Sequence, residues 1–426
     1  MGVVRGIRVI AILALLLLMP ALIETTPPAN GQSAVTPEMC IEAPNSPVLN
    51  DSSGYTYTTS SETWFAYNNT FQEPTVVRTP EGLRLWYAGY VGGIWGIYTA
   101  TSKDGGNWTI DTTPVLTSGP NGTWDSSPLM APSVLYNGTG YMMYFRSSAG
   151  SIYTRSIGIA FSSDGIHWKE YAKNPVLKPG PQSYDSNWIY EANVLFKGGA
   201  YYMWYAGSAP HSNSTEGYFY YEAIDLATSA DGIHWTKYPG NPVFIGAVVG
   251  NTTVGRHPDV IDVNGTLLML YGDGYGIGYA VSTDGVNWTH ASSYLIDVGK
   301  APWKSGWVSE PAALLNGTQL TLWYYGESPV GYPWTPYTGG IGFAYCNLIQ
   351  VQVRTTTTVV TTTISTTPIL TSVTATQNIT TTRTVEVASP SLGLYQGLSV
   401  GLASAVVVLV TLLVRVRRRL FLREAS

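Results

Sequence analysis

The phrase Ser-x-Asp-Gly-x-x-Trp recurs four times, and its spacing constrains the fold of this 426-residue chain more than any other feature. The copies begin at Ser102, Ser162, Ser229 and Ser282, with their aspartates at positions 104, 164, 231 and 284. Asp-Gly is a tight-turn signal, because glycine accepts positive φ and the aspartate caps the turn. A short apolar strand rich in aromatic residues precedes each turn, as in Leu83-Arg-Leu-Trp-Tyr and Tyr201-Tyr-Met-Trp-Tyr. A third phrase opens each unit and occurs five times: Glu73-Pro-Thr-Val-Val, Ala131-Pro-Ser-Val-Leu, Glu191-Ala-Asn-Val-Leu, His257-Pro-Asp-Val-Ile and Glu310-Pro-Ala-Ala-Leu. Four short strands repeated every sixty residues or so describe propeller blades. The expectation is an all-β, five-bladed β-propeller of four-stranded antiparallel blades, followed by a C-terminal transmembrane helix.

The fifth unit lacks an Asp-Gly turn and a final strand. Asn45-Ser-Pro-Val-Leu49 is similar to the blade-ending phrases Asn174-Pro-Val-Leu and Asn241-Pro-Val-Phe. The N-terminal segment 40–50 is therefore expected to supply the outer strand of blade five. The chain has two cysteines, Cys40 and Cys346, at the borders of the folded region. In an oxidising compartment that placement predicts one disulfide locking the ring.

The ends suggest that compartment. Arg5 and Arg8 precede an apolar run, so residues 1–34 read as a secretory signal. Residues 35–350 form the ectodomain and 351–390 a threonine-rich stalk. The apolar stretch 391–414 is long enough to span a bilayer, and the basic tail 415–426 places the C-terminus inside the cell. Eleven Asn-x-Ser/Thr sequons suit an extracellular, glycosylated, single-pass membrane protein. Between Cys40 and Gln350 there are 13 basic and 23 acidic side chains, which argues against a nucleic-acid partner. The sequence shows no metal-ligand cluster, phosphate loop, catalytic Ser-His-Asp signature or cofactor fingerprint, so neither metal nor cofactor is expected.

The repeats resemble those of the five-bladed propeller glycosidases, the clan of glycoside hydrolase families 32, 43 and 130. The turn phrase is also similar to a shortened sialidase Asp-box, but sialidases use six blades and an arginine triad. The ectodomain has only Arg78, Arg84, Arg146, Arg155 and Arg256. The resemblance implies acids on the inner strands of the first three blades, at Glu73 for the base and Glu191 for the general acid. Blade two has Ala131 there, its nearest upstream acid being Asp125.

Aligning the five openings gives a column of Glu73, Ala131, Glu191, His257 and Glu310. Strand symmetry would bring these side chains to one axial funnel. Glycoside hydrolysis needs a pair of carboxyl groups, so Glu73, Glu191 and Glu310 are the catalytic candidates. His257, Arg256, Asp259, Asp125 and Trp188 are the substrate-binding candidates. Trp95, Trp303, Trp307 and Trp334 are further aromatic residues suited to stacking on sugar faces. A second reading stands beside this one, in which a glutamate before proline accepts backbone N–H groups. Two functions remain open: a surface protein that hydrolyses or binds oligosaccharides, and a non-catalytic cell-envelope or adhesion protein.

Overall fold

The computed structural model describes residues 33–51, 69–151, 154–180, 185–213, 217–249, 252–329 and 338–355, with short strands at 55–58, 63–66 and 383–387. Ser33–Ile349 forms one compact unit, and Met1–Gln32 with Gln350–Ser426 a second. Of the signal expected at 1–34, residues 1–32 lie outside the described residues, as does the apolar stretch 391–414. Among the described residues, no helix is long and apolar enough to cross a membrane. Within the region read as a threonine-rich stalk, Val351–Thr355 pairs antiparallel with Arg383–Val387.

The first unit is a five-bladed propeller. The inner strands are Asn69–Thr79, Met130–Tyr136, Trp188–Lys197, Arg256–Val263 and Trp307–Asn316. Each lies beside the next, and the last lies beside the first, so the ring closes. Within a blade each strand pairs antiparallel with its successor, as Tyr141–Ser147 does with Ser156–Ser162. Among the described residues the core is five clusters of buried side chains, one in each gap between neighbouring blades. This division follows from the strand period of two. Along the second strand of blade four, Leu268 and Leu270 face blade five while Leu267, Met269 and Tyr271 face blade three.

The recurrent turn joins blades as well as strands. Within the turn, Asp164 Oδ1 accepts the backbone N–H groups of Ile166 and His167, each at 2.9 Å, and the other three aspartates repeat this pattern. The turn's glycine carbonyl then receives a donor from the preceding blade. Trp86 Nε1 donates to Gly165 O at 2.9 Å, Tyr144 Oη to Gly232 O at 2.8 Å, Trp204 Nε1 to Gly285 O at 2.9 Å and Trp323 Nε1 to Gly105 O at 2.9 Å. The turn's own tryptophan packs edge-on against the same donor ring, with Trp288 and Trp204 centroids 6.0 Å apart. Blade five has no such turn, and blade four carries Leu270 at the donor position. Donor and acceptor are absent together, and aliphatic packing fills that gap.

Blade five is completed by the N-terminus, as expected. Ile41 and Glu42 pair with Tyr345 and Ala344, and Leu49 and Asn50 with Ile341 and Gly340. In blades two and three, Asn174 and Asn241 bridge the backbone N–H and C=O of Ile159 and Leu226. Ser46 does the same to Phe343 in blade five, which explains the similarity of the three phrases. Cys40 and Cys346 form the disulfide, with Cα atoms 4.2 Å apart. Closing a loop this long restricts the unfolded chain and stabilises the ring by about 2–5 kcal/mol.

The inter-blade donor makes a direct prediction. Trp204→Phe removes the indole N–H and opens a small void. Gly285 O keeps Trp288 Nε1 as a second donor at 3.0 Å. The expected loss is therefore modest, about 1–3 kcal/mol, read as a lower denaturant midpoint with unchanged slope.

Candidate functional site

Each inner strand carries a β-bulge at the aligned column. The pairing register shifts between Gln72 and Thr75, Met130 and Ser133, Ile189 and Ala192, Arg256 and Asp259, and Ser309 and Ala312. At four of the five bulges the column residue is left-handed: Glu73, Ala131 and His257 at φ 52° and Glu310 at 59°. Each of these four precedes proline. Glu191 precedes Ala192 and does not adopt positive φ. Such backbone strain at non-glycine residues gathers at functional sites. Here Ala131 shares it, so the bulge belongs to the repeat and re-aims a side chain toward the axis whatever that side chain is.

The five column residues line one cavity of about 40 Å³ on the axis, as the alignment implied. That volume holds a few waters and no sugar ring. Glu73 and Glu310 each commit one oxygen to a neighbouring blade. Glu310 Oε2 accepts Glu73 N–H at 2.7 Å, and Glu73 Oε2 accepts Ala131 N–H at 2.7 Å. This is the backbone-acceptor role left open above, and it leaves each of these two catalytic candidates one oxygen outside the tie.

A parallel row two residues further on does the same work. Thr75 accepts Val134 N–H at 3.4 Å, Ser133 accepts Val194 N–H at 3.2 Å, Asn193 accepts Val260 N–H at 3.1 Å, and Asp259 accepts Ala313 N–H at 2.7 Å. Asp259 also accepts Asn193 Nδ2 at 2.7 Å. Asp259, a substrate-binding candidate in the sequence, thus serves as a structural acceptor and also lines the cavity. Blade five has Ala312 in this row, with no acceptor to offer, and Glu310 makes the tie between blades five and one.

Glu191 differs from the other two acids. Its Oε2 is buried without a hydrogen-bond partner, and its Oε1 lies 3.6 Å from His257 Nδ1. Burial pushes its carboxyl up, but His257, Arg256 and Arg146 outweigh burial and hold it below the ordinary glutamate range. His257 is itself pushed down to about 4 by burial, against the opposing pull of Glu191. An ionised carboxylate suits a base or nucleophile better than the general acid expected of it.

Immediately before the column, Tyr190 and Arg256 are partly exposed. Arg256 Nε pairs with Glu222 Oε2 at 3.0 Å, and its guanidinium lies over Trp307 at 5.7 Å. Burial and then the Glu191 charge raise the Glu222 carboxyl against the pull of Arg256. Arg146 Nη2 stands 3.5 Å from Glu73 Oε1. Glu222, Tyr190, Arg146 and Arg155 were missed in the sequence because none is in a repeated phrase. Their signal was a charge embedded in an apolar strand, as in Tyr144-Phe-Arg146 and Tyr221-Glu222-Ala223.

Two further candidates are elsewhere. Asp125 is buried beside Glu170 of blade two's outer strand, where its charge helps raise the Glu170 carboxyl to about 7 after burial itself. Trp188 is buried, edge-on to Tyr190 with ring centroids 5.9 Å apart. Trp303 is buried against Tyr324, Trp95 packs on Tyr90, and Trp334 lies outside the described residues. Trp307 lies under the Arg256 guanidinium. Folding also brings one ligand atom each of Glu73, His257 and Glu310 within 4.8 Å of one another, a set able to hold a metal ion. Residues 73 and 310 are too far apart in sequence for any spacing motif to reveal it.

Known proteins resemble this arrangement in part. Residues 132–301 match the glycosyl hydrolases family 32 N-terminal domain. The uncharacterized proteins MT1551 and Rv1502 of Mycobacterium tuberculosis are each 31% identical over 144 residues, covering 32% of this chain. The match spans 45% of the length of each mycobacterial protein. Among solved structures, a glycoside hydrolase superposes with a TM-score of 0.55 at 17% identity, over 70% of this chain and 92% of that one. Zg3597, a family 117 glycoside hydrolase from Zobellia galactanivorans, gives 0.52 at 15% identity, over 74% and 90%. A structure from the family of mannoside phosphorylases containing glycoside hydrolases that target β-1,2 mannosidic linkages in Candida mannan gives 0.51 at 15%, over 74% and 94%. The fold is that of the glycosidase-like propellers.

Burial of so many carboxyls sets the pH dependence. Burial raises Asp51, Asp259 and Glu327 to about 7 and Asp225 to about 8. Each binds its proton more tightly folded than unfolded, so its contribution is complete below about pH 4 and is lost as pH rises toward 7–8. His257 acts oppositely, losing its contribution as pH falls from about 6.5 to 4. The acids outnumber it. Thermal melts should therefore show higher stability at pH 5 than at pH 8.

Proposed function

We propose that this protein is a cell-surface glycoside hydrolase that takes glycans at the mouth of the propeller funnel. The observation that carries this reading is a pair of carboxyl groups driven apart in acidity: Glu191 is held below the ordinary glutamate range and Glu222 is raised above it. Such a split assigns acid and base roles in a glycosidase site. Glu222 donates its proton to the glycosidic oxygen, and the leaving sugar departs as an alcohol. Glu191 lines a cavity that admits water and no sugar ring, so it acts through water, removing a proton from the molecule whose oxygen bonds to the anomeric carbon. Tyr190 and Trp307 offer ring faces for the sugar. The family 32 match supports this, because residues 132–301 include Glu191, Glu222, Arg256 and His257. The placement outside the cell is supported by the signal-like N-terminus, the apolar stretch 391–414 with its basic flank, and the sequons. The alternative, a glycan-binding protein without turnover, is favoured by one observation: blade two presents Ala131 where the related pattern has an acid.

A panel of oligosaccharides offered to the full-length protein, scored for cleavage and for binding, separates the two. Binding without cleavage contradicts the hydrolase. If cleavage occurs, Glu222→Gln should lower kcat on unactivated oligosaccharides by about 10²–10⁴-fold. The loss should be much smaller on aryl glycosides, whose leaving groups need no proton. Equal loss on both substrates would remove Glu222 from the acid role.

A further inference from the structure

The ectodomain has five arginines among its 13 basic residues, and three of the five surround one ring. The guanidinium carbons of Arg155, Arg256 and Arg146 lie 4.8, 5.5 and 5.7 Å from the centroid of Tyr190. They come from different places: a second strand and the loop before a third strand in blade two, and the inner strand of blade four. We propose that this arginine cluster receives an oxyanion carried by the glycan, so that the substrate class is acidic sugars. This rests on the glycan reading above and adds to it the charge of the sugar.

The simpler role for three arginines is to neutralise nearby acids, and the pairing does not support it. Arg146 faces Glu73 and Arg256 faces Glu222. Arg155 makes no ion pair among the described residues, and it is only half-buried, next to Tyr190. Arg146 Nε is buried with no hydrogen-bond partner. Burial and then the neighbouring Arg146 charge pull the Arg155 guanidinium below its ordinary value, so like charges are crowded here. An acidic domain that gathers three of its few guanidiniums around one ring, with Arg155 outside any ion pair among the described residues, is arranged for an external anion. Guanidinium forks fit carboxylate, sulfate and phosphate groups.

The test is calorimetric titration of the full-length protein with galacturonate and glucuronate oligosaccharides, their neutral counterparts and inorganic phosphate. Acidic oligosaccharides should bind at least about tenfold more tightly than neutral ones, with the margin shrinking as salt is raised. Arg155→Gln should abolish the preference, Arg155→Lys should keep part of it, and Arg78→Gln, an exposed charge elsewhere, should keep all of it. Equal binding of neutral and acidic glycans overturns the acidic-sugar inference and leaves the glycan reading standing. Binding of phosphate with no binding of either glycan class overturns the glycan reading and, with it, the acidic sugar. A preference that survives Arg155→Gln overturns the role of this cluster.

Discussion

At the axis, each blade is tied to the next by a side chain of one inner strand that accepts a backbone N–H of its neighbour. Thr75, Ser133, Asn193 and Asp259 tie four of the five boundaries, and Glu310 ties the fifth, where Ala312 cannot. Backbone amides at a crowded axis need such partners, since a buried unpaired N–H costs about 1–3 kcal/mol. The ties also decide which acids are available for chemistry. Glu310 is needed for closure, and Glu73 doubles the tie between blades one and two. The boundary between blades three and four is already held by Asn193. Glu191 is therefore spare: it lines the cavity, and its Oε2 is buried without a hydrogen-bond partner.

Much of the fold could be read from local chemistry repeated in register. Asp-Gly turns, bulge prolines and strand-ending aromatics are short-range signals, and five copies fix the blade count. The closing of blade five was also legible, because Ser46 and Val48 sit in a phrase whose role is set by blades two and three. The coupling of Leu270 to the missing fifth turn was not, since it appears only when strands 50 or more residues apart are known to face each other. The site was half legible. Alignment found Glu73, Glu191, His257 and Glu310 because symmetry places equivalent residues equivalently. It could not tell a carboxylate bound to an amide from a free one, because that depends on which neighbour lacks an acceptor. Glu222, Arg146 and Arg155 break the symmetry and so lay outside the repeat argument. Asp125, chosen for its nearness in sequence to Ala131, lies with Glu170 on the outer part of blade two.

The account separates architecture from chemistry within a single column of side chains. The ring needs acceptors, and evolution of a catalytic or binding function can use only the column positions that the ring does not. Glu191, flanked by Tyr190 and Arg256, is such a position, and His257 beside it is pushed down to about 4 by burial.

The most direct test of this separation is to measure melting temperature and glycan turnover together for Glu191→Ala and Glu310→Ala. The account predicts that Glu310→Ala melts several degrees lower, having orphaned the Glu73 amide, yet retains turnover below its melting point. Glu191→Ala should melt close to the wild type and lose turnover. A Glu191→Ala protein that turns over normally, or a Glu310→Ala protein as stable as the wild type, would contradict it.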